Sequence, residues 1–370
     1  MFSAGCVRAL ARLGLFSVSC VMPILKISGE ALRRAAEILS QGGLVAFPTE
    51  TVYGLGGDAF NPAVLARIFE AKGRPRFDPL IVHVADLNAL EKVADLSRLN
   101  DAARKKLSLL AENLWPGPLT LVLPKRKAVP DLATSGLPSV AVRIPAHEGA
   151  RRLIGLSASG AVAAPSANPF GYLSPTRAEH VAETLGEKID LILDGGAAQV
   201  GLESTVLDIC GERPAILRPG GATREAIEAL IGPVAAGAVM EAAAAEGSAL
   251  PSPGLLKSHY APRSPLSAHD GESICALQPS AGSAYLFFDG ASRDAWLSGR
   301  PQRENVAVLS SAGDATEAAA RLFQALRELD SLRPKQIHAQ LAPEQGLGAA
   351  INDRLRRAAQ GRAAQETANP

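Results

Sequence analysis

Three cations crowd one turn at Lys72-Gly-Arg-Pro-Arg76, and the chain then runs through Asp78-Pro-Leu-Ile-Val-His83, an apolar stretch that ends on an imidazole. Glycine and proline fix the turn, so Lys72, Arg74 and Arg76 are held close together. That spacing suits a polyphosphate, whose oxygens accept from guanidinium forks and from an ammonium point charge. Upstream, Phe47-Pro-Thr-Glu-Thr-Val-Tyr-Gly-Leu-Gly-Gly-Asp58 passes from an apolar run, Gly43 to Phe47, into hydroxyls, a carboxylate and glycines. This order predicts a strand running out into a glycine-permissive loop. Ala161-Val-Ala-Ala-Pro-Ser166-Ala-Asn168 repeats the design, with a small-residue strand that stops at proline and presents a hydroxyl and an amide. Three strand ends with polar tips predict one shared site.

The bland alternatives are concrete. Taken alone, KGRPR is a solvated surface turn, Ser166 and Asn168 form a capped turn, and His83 is a satisfied strand-end histidine. No Ser-His-Asp, Cys-His or paired-carboxylate constellation stands out in chain order, which points to catalysis by positioning and electrostatics.

The elements that carry these residues are legible. Ser28 to Gln41 has apolar residues at helical spacing, with Ser28 as N-cap and Gly42 as the stop. A helix from Asn61 to Lys72, with Pro62 at its first position, delivers Lys72 to the cationic turn. Further helices are predicted at Leu87 to Val93, Asn100 to Leu114, Glu148 to Leu156 and Arg177 to Leu185. Strands are predicted at Leu80 to Val84, Leu119 to Pro124, Val140 to Ile144, Ala161 to Ala164, Leu191 to Asp194, Ser204 to Ile209 and Ala215 to Arg218. Such alternation implies an α/β fold with helices packed on a mixed sheet. Between Gly232 and Pro253 the chain turns rich in Ala, Gly and Pro, as a linker does. Beyond it, strands at Ser283 to Phe288, Val306 to Leu309 and Gln336 to Gln340 alternate with helices at Asp314 to Leu329 and Leu347 to Ala359. This is a small Rossmann-like pattern without a GxGxxG loop, so no dinucleotide is assigned to it.

A chain of 370 residues, 47% hydrophobic and 20% charged, can bury the cores of two domains. Its formal net charge of +1 gives no reason to expect tight non-specific nucleic-acid binding, and 4% aromatics leave little for base stacking. Cys6, Cys20, Cys210 and Cys275 are far apart and form no CxxC pair, which speaks for a reducing cytoplasm and against a zinc site. The histidines also lack ligand spacing, so no protein-built metal site is expected. Residues 1–22 are basic and apolar at first, without an acidic side chain, and are read as an extension that is disordered or reflects an upstream start codon rather than a targeting segment.

Six phrases in series, FPTETVYGLG, KGRPRFDPLIVHV, WPGPLTLVL, SVAVRIPAH, APSAN and LESTVLD, resemble the YrdC/Sua5 family over Ile24 to Gly232. A further block, Ser252-Pro-Gly-Leu-Leu-Lys-Ser-His-Tyr-Ala-Pro262, resembles the linker entrance of the longer Sua5 type. The resemblance implies a twisted mixed-sheet YrdC-like domain over 23–232 with a concave active site. It also implies a linker or lid over 233–265, a small C-terminal Rossmann-like α/β domain over 266–360, and a disordered tail over 361–370.

By the same resemblance, Lys72 and Arg74 are the catalytic cations of a KxR pair. With Ser166 and Asn168 of an SxN pair, and with Asp78, Ser139, Ser174, Arg218 and Tyr260, they line the ATP pocket. Asp78 stands where relatives often carry Asn. Ser139 and Ser174 read as readily as structural hydroxyls, and Tyr260 either reaches back to the nucleotide or anchors the edge of the second domain. Thr51, His83, Arg143 and Ser204 match the L-threonine positions, where Arg143 can fork onto a carboxylate.

The implied reaction combines L-threonine and bicarbonate into a carbamate that attacks the α-phosphate of ATP. It gives threonylcarbamoyl-AMP and pyrophosphate, with Mg²⁺ entering alongside ATP. The product would pass to a tRNA threonylcarbamoyl transferase complex for t6A formation, with tRNA contact indirect or weak and no membrane involved. A rival from another class is an RNA-binding module without catalytic activity, using KGRPR as a phosphate grip. A third is a carbamoyl-transfer domain of hydrogenase maturation, whose partner zinc-finger and acylphosphatase modules are missing here.

Overall fold

Gly54, Gly56 and Gly57, expected in a loop, lie instead in a buried strand, Gly54–Asp58. The correction has a packing cause. A Cβ on Gly56 would sit 2.6 Å from Phe47 Cε1 and 2.9 Å from Val162 Cγ1, and one on Gly57 would sit 2.5 Å from Val64 Cγ1. Glycine serves here for close approach between strand neighbours and a covering helix, not for unusual backbone angles. Gly56→Ala is therefore expected to cost about 1–3 kcal/mol through overpacking, read as a lower urea midpoint with an unchanged slope. An unchanged midpoint would mean that Phe47 can yield without strain.

The computed structural model describes residues 23–211, 213–236, 250, 259–298 and 305–361. The expected extension over 1–22 lies outside these residues, as do most of the expected linker and tail.

One mixed sheet holds β1 (Ile24–Lys26), β2 (Val45–Phe47), β3 (Gly54–Asp58), β4 (Ile81–Val84), β5 (Leu119–Pro124) and β6 (Ser139–Arg143). It continues with β7 (Ala161–Ala163), β8 (Leu191–Asp194), β9 (Thr205–Asp208), β10 (Ala215–Arg218) and β11 (Ala235–Ala236). The strand order is β1-β8-β2-β3-β7-β4-β6-β5-β9-β10-β11. In its centre, β4 runs parallel to β6 in a register that sets His83 beside Arg143.

A second sheet, of order β12-β15-β13-β14, comprises β12 (Leu266–His269), β13 (Ser283–Asp289), β14 (Val306–Ser310) and β15 (Gln336–Gln340). Its strands pair in parallel throughout. It packs with the helices Ala315–Ser331 and Leu347–Ala359. The two sheets share a core: Val52, Leu173 and Leu202 from the first region pack in one cluster with Tyr260, Leu322 and Phe323 from the second.

The helix Pro62–Lys72 shows how local chemistry aims the site. Asn61 Oδ1 accepts from the backbone N–H of Ala63 and Val64, and Pro62 occupies the first turn. The helix stops at Gly73, whose φ of 61° is left-handed. That stop turns Arg74 inward, with its N–H donating to Phe69 O at 2.9 Å.

Some elements escaped the sequence pattern. The helices Gly271–Ala276 and Gly290–Leu297 each begin with a glycine and are short, yet Asp270 and Asp289 cap them by accepting from Ser273 N and Ser292 N, both at 2.7 Å. The helix Arg224–Ile231 and the strands β1 and β12 were also missed, and the helix expected to reach Val93 ends at Leu90. Among the described residues, no helix is long and apolar enough to cross a membrane.

Candidate functional site

The ends of β2, β4, β6, β7 and β10, with the segments that follow or precede them, surround one hollow. Thr49, Thr51, Arg74, His83, Arg143 and Ser166 line it, together with Glu203, Ser204, Arg218, His259 and Tyr260. Its free space is about 50 Å³, room for a few water molecules and far short of the volume that a nucleotide with an amino acid occupies. His259 and Tyr260, the described end of the linker, form part of the wall, stacked edge-on with ring centroids 4.1 Å apart.

Eight of the residues singled out in the sequence thus meet: Thr51, Arg74, His83, Arg143, Ser166, Ser204, Arg218 and Tyr260. Lys72, Asp78, Asn168 and Ser174 are buried behind the lining. Lys72 Nζ donates to Ser166 O at 2.6 Å and to Asn168 O at 2.5 Å, so it fastens the APSAN segment to the end of its helix. Asp78 pairs with Arg74 at 3.0 Å, and the guanidinium also donates to the backbone oxygens of Asp78 and Pro79. Ser174 Oγ donates to Glu203. Ser139 stands apart, since it opens β6 while Arg143 closes it, and the four steps of strand between them span roughly 13 Å.

The cationic turn is not a surface grip. Lys72 is 3% exposed and Arg74 8%, whereas Arg76 points to solvent. Burial pushes the Lys72 ammonium well below its ordinary range, and the neighbouring Arg74 charge adds to this. An RNA-binding surface needs cations that reach phosphates from outside, and only Arg76 of the three is placed to do so.

Arg143 Nη2 lies 2.7 Å from Glu50 Oε1, and its Nε donates to Gly117 O at 3.2 Å. Burial opposes ionisation of Glu50, but the charge of Arg143 and its bond outweigh this and hold the carboxyl below its usual range. Burial, reinforced by the Arg143 charge, drives the His83 imidazole down to about 3, so it is neutral at physiological pH. Arg218 donates to Ser204 O at 2.9 Å and to Ser204 Oγ at 3.2 Å, and Thr120 Oγ1 shares a hydrogen bond with Ser204 Oγ at 2.7 Å.

Several polar atoms around the hollow are buried without a hydrogen-bond partner among the described residues: His83 Nδ1, Asn168 Oδ1, His259 Nδ1 and Tyr260 Oη. Buried polar groups are nearly always satisfied, so a cluster of orphans on a cationic wall marks a place built for a polar ligand.

The low histidine values set an acid sensitivity. An unfolded histidine titrates near pH 6.5, whereas folded His83 takes a proton only near 3 and His180 only near 4. Between those limits the unfolded chain binds more protons, so stability is full above about pH 6.5 and is lost progressively as pH falls. The urea midpoint is expected to drop between pH 7.5 and pH 5, with His83→Asn flattening part of the slope. A midpoint independent of pH would show that these imidazoles are not desolvated.

Glu50, Glu203 and His259 were not singled out in the sequence. A usable signal existed for Glu50: an arginine inside the apolar run Val140-Ala-Val-Arg-Ile144 has to find a carboxylate, and a lone one sits in the PTET phrase. Glu203 had no such signal, because its cationic partner is Arg354, far along the chain.

Residues 37–220 match a family profile that covers Sua5, YciO and YrdC and is described as "Telomere recombination". Residues 222–360 match a profile described as "Threonylcarbamoyl-AMP synthase, C-terminal domain". A threonylcarbamoyl-AMP synthase of Pyrococcus abyssi is 42% identical over 342 residues, covering 88% of this chain and 93% of its own length. One from Bacillus subtilis is 40% identical over 346 residues, covering 91% and 95%. Among solved structures, P. abyssi Sua5 complexed with L-threonine superimposes with a TM-score of 0.79 at 39% identity, covering 91% of this chain and 96% of that one.

Proposed function

The chain belongs to the Sua5/YrdC family, and from that premise we propose that it makes threonylcarbamoyl-AMP from L-threonine, bicarbonate and ATP as a nucleotidyltransferase. The observation that carries the reading is the single hollow in which Arg74 and Arg218 stand with Arg143 and His83. One group is suited to an anionic phosphate chain and the other to an amino acid.

Arg143 holds the threonine carboxylate with the donors not committed to Gly117 or Glu50, while Glu50 keeps its guanidinium in plane. Neutral His83 offers Nδ1 as an acceptor, and Thr51 and Ser204 orient the amine and hydroxyl. The neutral threonine amine attacks bicarbonate and water leaves, giving the carbamate anion, whose oxygen attacks the α-phosphate as the bond to pyrophosphate breaks. Arg74 and Arg218 stabilise the charge that builds on the α-phosphate and on departing pyrophosphate. Ser166, positioned by Lys72, and Tyr260 bound the nucleotide, with Asn168 supplying a free amide oxygen. Asp78 and Ser174 act behind them by holding Arg74 and Glu203, and Ser139 contributes at the far end of its strand.

Among the described residues, no cluster of three or more His, Cys, Asp or Glu could hold a metal ion. In this proposal Mg²⁺ enters as part of the nucleotide substrate. The labile product is handed to a tRNA-modifying transferase in the cytoplasm, and this protein makes little or no direct tRNA contact. Purified protein given ATP, labelled bicarbonate and L-threonine is expected to release pyrophosphate only when all three are present; turnover without threonine would refute the assignment.

A further inference from the structure

Arg354 belongs to the second domain yet ends inside the wall of the hollow. It sits on the helix Leu347–Ala359, its side chain has no solvent exposure, and its Nε donates to Glu203 Oε2 at 3.0 Å. Its Nη1 donates to Pro219 O at 2.6 Å and to Asp353 Oδ2 at 3.0 Å, and its guanidinium carbon lies 5.1 Å from the centre of the Tyr260 ring. Glu203 and Tyr260 both line the hollow, and Pro219 follows Arg218, which also lines it. One buried cation thus touches two residues of the lining and the neighbour of a third.

A second observation points the same way. The segment Gly201-Leu202-Glu203-Ser204 rests directly on the second domain, because a Cβ on Gly201 would lie 2.5 Å from Ala319 O and from Ala320 Cα. Leu202 lies in the shared core with Phe323. The segment is held from below by the helix Ala315–Ser331 and from the side by Arg354. On its far side it presents Glu203 and Ser204 to the hollow.

We infer that Arg354 is a positioning residue for the reaction: it fixes the Glu203 carboxylate and the Tyr260 ring, so the second domain completes the nucleotide end of a site whose other residues all come from the first domain and the linker. The bonds require this arginine in particular. Lysine lacks the planar fork that reaches Glu203 and Pro219 at once, and an aliphatic side chain leaves Glu203 buried with Ser174 alone. The role rests on the reading of the hollow as an ATP and threonine site.

The test uses the full chain with three variants, Arg354→Lys, Arg354→Met and the double Arg354→Met with Glu203→Gln. The double variant removes the uncompensated buried charge and so separates folding from positioning. Arg354→Met is expected to raise the KM for ATP at least tenfold, with calorimetric affinity for L-threonine within threefold of the parent. The double variant is expected to melt close to the parent and still keep the raised KM. Recovery of the parent KM in the double variant would make Arg354 a purely structural residue and overturn the inference. So would equal losses for ATP and threonine.

A readout independent of turnover is hydrogen exchange at the amides of Ala261, bonded to Gly171 O, and Gly221, bonded to Glu203 O. Both are expected to exchange at least tenfold faster in Arg354→Met, while amides of β4 and β6 do not change; unchanged exchange at the first two overturns the inference. If the parent makes no pyrophosphate, the functional reading fails, and these amides still report on the positioning.

Discussion

Arg143→Ala is expected to raise the threonine concentration needed for half-maximal pyrophosphate release by about 100-fold, and to destabilise the chain by about 3–5 kcal/mol. The two effects have separate origins. Arg143 is 4% exposed and its charge faces Glu50 at 2.7 Å, so its removal strands a carboxylate in an apolar setting. Burial alone would then raise the Glu50 pKa, and the side chain would take up a proton rather than keep its charge. On the role proposed for Arg143, the catalytic effect comes from losing the fork that would receive the threonine carboxylate, and it should leave the KM for ATP nearly unchanged.

A companion variant separates the two effects. Arg143→Ala with Glu50→Gln should recover most of the stability, because no charge is left unpaired, while the threonine requirement stays high. Urea melts and initial rates at varied threonine measure both. Recovery of threonine use in the double variant would mean that Arg143 serves the fold alone.

How far the sequence disclosed this site depends on whether the partners were near in sequence. The helix Pro62–Lys72 announced itself through Asn61, Pro62 and Gly73, each a local backbone requirement, and the structure uses all three. The strands carrying His83 and Arg143 were legible because β4 and β6 are buried on both faces and read as apolar runs. β3 was misread because glycine in a short run signals a loop by local rules. Its need for glycine comes from Phe47, Val162 and Val64, which only the fold brings together.

The cations were found and their immediate partners were not. KGRPR looked like a turn facing a ligand, whereas Lys72 spends two donors on the carbonyls of Ser166 and Asn168, and Arg74 is paired to Asp78. The pairing of Glu203 with Arg354 spans 151 positions and crosses between the two sheets. No periodicity or spacing rule reaches that far.

That use of Lys72 sets the second large effect. Lys72→Met keeps the length and burial of the side chain but removes both bonds, leaving the oxygens of Ser166 and Asn168 without their donor. Each buried acceptor left unmade costs about 1–3 kcal/mol, so the folded chain is expected to lose stability of that order. The segment they belong to carries Ser166 into the hollow and holds Asn168, whose Nδ2 donates to Pro169 O at 2.9 Å and Tyr172 O at 2.8 Å. Once released, Ser166 shifts relative to Arg74 and the nucleotide end opens, so the KM for ATP should rise at least tenfold at saturating threonine. Threonine affinity, which we assign to Arg143 and His83 on the neighbouring strands, should stay within threefold of the parent. This split distinguishes Lys72 as an anchor of the nucleotide wall from a general stabiliser. A destabilised variant with an unchanged KM for ATP would show that Ser166 keeps its place without the lysine. A variant that keeps KM but loses turnover would instead put the ammonium on the reacting phosphate itself.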